Sequence, residues 1–165
     1  MTDFEALLRR LTDDEVDFIL VGGVAATVHG STRLTQDLDV VYGRSVENIE
    51  RLVLSLTDLA PYPRGAPPGL PFEWSEATVR AGLNFTLITR LGDFDLLGEI
   101  VGGGTFEELL EDTIPIAIFG SACLCLTLDK LIEVKRAAGR PRDFEAVAEL
   151  EAILEERSGT EPTSP

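Results

Sequence analysis

Cysteine is scarce in this chain of 165 residues: only Cys123 and Cys125 occur, within "ACLCLT". Two residues apart on a strand, they project the same way but are poorly placed to bridge each other, so neither a disulfide framework nor a cysteine metal site is available. They read as two small buried hydrophobes in a reducing, cytoplasmic setting. Long apolar runs are missing too. No stretch reaches the roughly 20 residues needed to cross a bilayer, and the acidic, amphipathic "MTDFEALLRR" lacks the basic-then-apolar order of a secretory signal. No membrane partner is expected. Positive charge is the third deficit: 14 Lys and Arg stand against 29 Asp and Glu, a formal net charge of −15. A surface that grips nucleic acid by phosphate neutralisation needs clustered Lys and Arg. The balance argues against a broad interface of that kind and leaves room for a local basic pocket around one nucleotide.

What is present is an ordinary globular composition, 44% hydrophobic and 26% charged, in a length that suits one domain. "DFEALLRRL" places Phe4, Leu7, Leu8 and Leu11 on one helical face, with Thr2 or Asp3 as its cap. The run Val16 to Val21, apolar but for Asp17, predicts a buried strand. Gly22 and Gly23 end it, "VAATVHG" is a short helix closed by Gly30, and "DLDVVY" is a second strand. Ser45 caps the helix "VENIERLVLSL". Residues 60 to 71, "APYPRGAPPGLP", form a loop, partly extended, and "WSEATVRAGL" a brief helix. "NFTLIT" and "DFDLL" flank a hairpin turn at Arg90-Leu91-Gly92. "TFEELLED" has a capping box, Thr105 with Glu108, and "IPIAIF" and "ACLCLT" are strands around Gly120-Ser121. Two helices follow, parted by Gly139 and Pro141.

Strands interleaved with helices predict an α/β (α+β) fold, a mixed sheet with helices packed on it and a C-terminal helical pair. The expected organisation is one domain over residues 1–156, with a core at 15–127, the helical pair at 128–156 and a disordered polar tail at 157–165.

The chemistry is concentrated at Asp37-Leu38-Asp39. On a strand the two carboxylates share a face, with Cα atoms about 6.7 Å apart. Two such charges about 4 Å apart repel by about 4 kcal/mol at an effective dielectric of about 20, so a cation is expected between them. Paired carboxylates can embrace two divalent ions about 3.5–4 Å apart, and hard ions such as Mg²⁺ favour oxygen ligands. Gly22-Gly23 joins a strand to a helix, where backbone amides can approach a phosphate. In "GDFDLLGEI", Asp93 and Asp95 share a face; Asp95, deeper in its strand, is the preferred third carboxylate.

"LVGGVAATVHGSTRLTQDLDV" resembles the signature of the nucleotidyltransferase superfamily with the DNA-polymerase-β-like fold: an apolar residue, Gly, Gly or Ser, a spacer, then Asp-x-Asp. The wording is most similar to small bacterial nucleotidyltransferases akin to type IV abortive-infection toxins. It is carried here by His29, Gly30, Arg33, Thr35, Asp37, Leu38 and Asp39, by a later Asp95-Leu96-Leu97, and by Leu131, Ile132, Lys135, Arg140 and Asp143. The similarity covers residues 15 to 152. It implies that Asp37, Asp39 and Asp95 bind Mg²⁺, two ions in all, and that an NTP is co-substrate, with Asp95 helping to activate an acceptor hydroxyl. Gly22, Gly23, Arg33, Thr35 and Lys135 would attend the nucleotide. The acceptor, whether tRNA, protein or small molecule, is left open, as is an antitoxin partner. Many members carry serine where this chain has Gly23, which leaves backbone amides to bind the triphosphate.

Other residues carry two readings. Arg33 suits a phosphate grip or a plain ion pair. Lys135 falls on the apolar stripe of its helix, so it snorkels or points into a polar cleft. Lys130 and Arg136 read as solvated, Arg140 and Asp143 as a structural pair, His29 as a packing residue, and Trp74 as a pin for the Pro-rich loop. The alternative to an enzyme is a catalytically silent nucleotide-binding or interaction module that keeps the fold.

Overall fold

The computed structural model describes residues 1–159. Helix α1 (Phe4–Asp13) is capped by Asp3, and its Leu7, Leu8 and Leu11 are fully buried. Each such leucine contributes about 1.5–3 kcal/mol by leaving water. Thr2 is occupied elsewhere: its hydroxyl bonds the Gln36 carbonyl and accepts the Asp93 amide. Strand β1 (Phe18–Val21) begins two residues later than the apolar run, because the Val16 amide closes the end of α1 and the Asp17 amide donates to the Asn48 side chain. All four of its residues are buried, as a central strand covered on both faces requires.

Helix α2 (Gly22–Val28) follows without a loop, then β2 (Asp37–Tyr42) and the Ser45-capped α3 (Val46–Leu56). Next come β3 (Tyr62–Pro63), α4 (Glu76–Ala81), and a hairpin of β4 (Phe85–Thr89) with β5 (Gly92–Leu97). A small ribbon of β6 (Glu99–Ile100) with β7 (Gly104–Thr105) leads into α5 (Phe106–Leu109), whose capping box is formed by Thr105 and Glu108. A second hairpin, β8 (Thr113–Ile118) and β9 (Ser121–Leu126), precedes α6 (Leu128–Ala138) and α7 (Pro141–Gly159).

Seven strands form one mixed sheet in the order β3-β4-β5-β2-β1-β9-β8. β2 runs antiparallel to β1 and parallel to β5, and β9 runs parallel to β1. The α/β class with a C-terminal helical pair is therefore what the chain adopts. Two pairings were not anticipated. Tyr62 and Pro63, inside the Pro-rich loop, join the sheet edge against Ile88 and Leu87, an edge being where proline is tolerated. The ribbon of β6 and β7 is the other.

One apolar cluster runs from Leu7 to Leu150 across the sheet and its helices. α6 ends at Gly139, whose φ of 64° and amide bond to the Lys135 carbonyl close the helix, and Pro141 opens α7. α7 is helical through residues 157–159; residues 160–165 of the expected tail lie outside the described residues. Among the described residues no helix is long and apolar enough to cross a membrane.

Candidate active site

The site begins where β1 turns directly into α2. Gly22 sits at φ 67°, a left-handed conformation that only glycine enters without cost, and a Cβ there would overlap the Asp39 carboxylate. The Gly23 amide weighs slightly in favour of the charged form of that carboxylate. A Cβ on Gly23 would come within 2.7 Å of the Thr35 Cβ, so the missing serine reflects a close approach by Thr35. Thr35 in turn donates to the Asp37 carbonyl at 3.3 Å. The Gly-Gly pair thus serves first to let the chain pass against Asp39.

Alternation on β2 turns Leu38 and Val40 into the core and leaves Asp37 and Asp39 half-buried on the other face. Parallel pairing sets Asp95 of β5 directly beside Asp39, and Asp93 beside Asp37. Carboxylate oxygens of Asp37, Asp39 and Asp95 all lie within 4.8 Å of one another. Burial, the hydrogen bond with Asp95 and the charges of Asp95 and Asp37 push the Asp39 carboxyl up to about 8, against a small opposing pull from the Gly23 amide. Asp37 is also raised, by burial and by Asp95.

These three form the floor of a cleft of about 610 Å³. Leu97, Ile100 and Val101 contribute apolar lining, and Lys135 of α6, Arg140 and Arg142 of α7 contribute basic lining. Lys135 is half-buried, and among the described residues it forms no ion pair. Burial depresses its pKa, with Arg140 and Arg33 adding to the effect and Asp143 and Asp39 opposing it. Arg33 stands at the rim, exposed, with a 3.5 Å ion pair to Glu145.

The remaining assignments sort plainly. Arg140 grips Asp143, itself only 3% exposed, at 2.7 Å. Buried His29 places Nε2 2.7 Å from the Leu126 carbonyl, and its Nδ1 and carbonyl face Arg157, a packing role. Trp74 donates to the Val53 carbonyl at 3.1 Å and anchors the Pro-rich segment. Lys130 is less solvated than its helical position suggests, being paired with Glu133 at 2.7 Å and Asp112 at 3.8 Å. Arg136 pairs with Glu151.

One residue of the site was missed. Arg64, just after β3, places Nη2 2.7 Å from Asp95 and 3.7 Å from Asp37, and Nη1 3.8 Å from Asp93. Burial weighs against its charge, but the three aspartates prevail and its pKa is raised. The available signal was thin: Arg64 is the single charged residue between Asp58 and Glu73.

No family model matches the sequence, and no curated protein matches it. Among solved structures, a candidate nucleotidyltransferase from Thermotoga maritima is similar, with a TM-score of 0.53 and 13% identity over 91% of this chain and 89% of that one. At that identity the likeness concerns architecture, and this chain shares the nucleotidyltransferase fold.

Proposed function

We propose that this chain is a divalent-metal-dependent nucleotidyltransferase, moving a nucleoside monophosphate from an NTP such as ATP to an acceptor hydroxyl. The observation that carries the reading is the meeting of Asp37, Asp39 and Asp95 within 4.8 Å on adjacent strands, in a cleft that Lys135 also lines. The donor set fits a hard cation. It is all carboxylate oxygen, and burial together with the neighbouring Asp95 and Asp37 pushes Asp39 to about 8. Bound there by these three residues, Mg²⁺, two ions in this reading, would neutralise phosphate oxygens and the departing pyrophosphate.

The protein's own groups do the rest. Lys135 lines the cleft with no ion pair among the described residues and is suited to hold triphosphate oxygens, with Arg33 at the rim. Gly22, Gly23 and Thr35 shape the floor so that Asp39 stays aimed into the cleft. Asp95 accepts the proton of the acceptor hydroxyl. The acceptor oxygen then bonds to the α-phosphorus as the bond from that phosphorus to the β-phosphate bridging oxygen breaks, and pyrophosphate leaves. The acceptor is a hydroxyl of tRNA, protein or a small molecule. The motif wording shared with abortive-infection toxins supports a toxin role beside an antitoxin, in the cytoplasm.

The test is incubation of the purified chain with each labelled NTP, Mg²⁺ and cell lysate, following pyrophosphate release and the species that gains label. Asp39→Asn should abolish transfer in a protein that stays folded. Full activity of that variant, or no release with any NTP, overturns the reading.

A further inference from the structure

We propose that Arg64 is a built-in counter-ion that competes with divalent metal for the carboxylate cluster, so that loading a cation requires its guanidinium to release Asp95. This rests on the metal-site reading above. Arg64 Nη2 occupies Asp95 Oδ1 at 2.7 Å and approaches Asp37 Oδ2 at 3.7 Å, so one side chain touches two of the three candidate ligands. Its Nη1 bonds the Leu87 carbonyl at 3.3 Å and lies 3.8 Å from Asp93. The guanidinium is sheltered, with only 26% of the side chain exposed, so its charge is weakly screened.

A fold gains nothing from crowding carboxylates at one point unless positive charge stands among them, and Arg64 supplies that charge in the cation-free protein. A metal bound to the same oxygens would meet a fixed positive neighbour. The segment is built to yield. Arg64 follows a two-residue edge strand, its amide holds only the Thr86 carbonyl, and Gly65 next to it sits at φ 81° with open space around it. The Leu87 carbonyl and Asp93, already 3.3 and 3.8 Å from Nη1, offer the guanidinium partners when it releases Asp95.

Mn²⁺ binding to the full chain without nucleotide, read from the free-ion electron paramagnetic resonance signal, tests this in wild type, Arg64→Gln and Arg64→Lys. Each is compared with Asp39→Asn in the same background, to subtract adventitious binding by an acidic surface. Arg64→Gln should bind Mn²⁺ at least tenfold more tightly and melt at a lower temperature in chelator. Arg64→Lys, a point charge without the fork, should tighten about threefold, and it carries the test if Arg64→Gln does not fold. Unchanged or weaker affinity in the folded variants, beside measurable wild-type binding, overturns the competition. If no protein shows binding that depends on Asp39, the metal-site reading falls and this proposal with it.

Discussion

Replacing Gly22 by alanine isolates the demand that the acidic cluster makes on the backbone. At φ 67° an alanine pays about 1–2 kcal/mol for the left-handed conformation. Its Cβ would also overlap the Asp39 carboxylate, and relieving such overpacking typically costs about 1–3 kcal/mol. Together these predict a loss of about 3 kcal/mol. For a domain of this size that lowers the melting temperature by about 6–12 °C. Gly120, at φ 77° and with nothing within 4 Å of where a methyl would project, gives the matched control: strain without overlap. Gly120→Ala should therefore lose only about 1–2 kcal/mol. Thermal denaturation in chelator measures both, and Mn²⁺ titration should show affinity lost in Gly22→Ala alone. If Gly22→Ala is no less stable than Gly120→Ala and binds Mn²⁺ as wild type does, the backbone's approach to Asp39 does not explain the Gly-Gly pair.

The raised Asp39 carboxyl gives a pH dependence of definite sign. Its folded value of about 8 lies far above the ordinary 3.8, so the folded state binds the extra proton between those limits. Stability of the cation-free protein should fall as pH rises toward 8, and Asp39→Asn should flatten that slope in a melting series. Cation binding should release a proton and tighten with pH over the same range, which titration calorimetry in buffers of different ionisation enthalpy detects; proton release of zero contradicts the assignment. Lys135→Ala should weaken NTP binding at least tenfold while leaving stability unchanged or higher, since a half-buried cation without an ion pair is removed. A nucleotide titration with a parallel melt decides it.

The pair Asp37 and Asp39 was legible in the sequence because its arrangement is local. Period-two alternation puts Asp37 and Asp39 on one face, and a one-step choice between Asp93 and Asp95 completed the trio that the parallel register of β2 and β5 brings together. Helices with one clean apolar stripe, such as α1 and α3, were legible for the same reason. Arg64 was not, because its position depends on an edge pairing of Tyr62 and Pro63 with a strand far along the chain, Ile88 lying opposite Tyr62, in a stretch dominated by turn residues. Lys130 was misjudged because helical periodicity says nothing of Asp112, which reaches it from the turn before β8. The missing serine at Gly23 could be read only as a lost donor until Thr35 was seen pressed against it.

The stretch from His29 to Gln36 has no regular structure, yet it carries Arg33 and Thr35 into the cleft. Its shape is borrowed from both ends of the chain. Glu149 ties down Ser31 and Thr32, Arg157 holds His29, and Thr2 fastens Gln36. A trimmed version keeping every strand of the sheet, but lacking Thr2 or the last turns of α7, would preserve the architecture while letting this rim drift. Thr2 and α7 are thus fixtures of the working end, and changes to either belong among perturbations of the site.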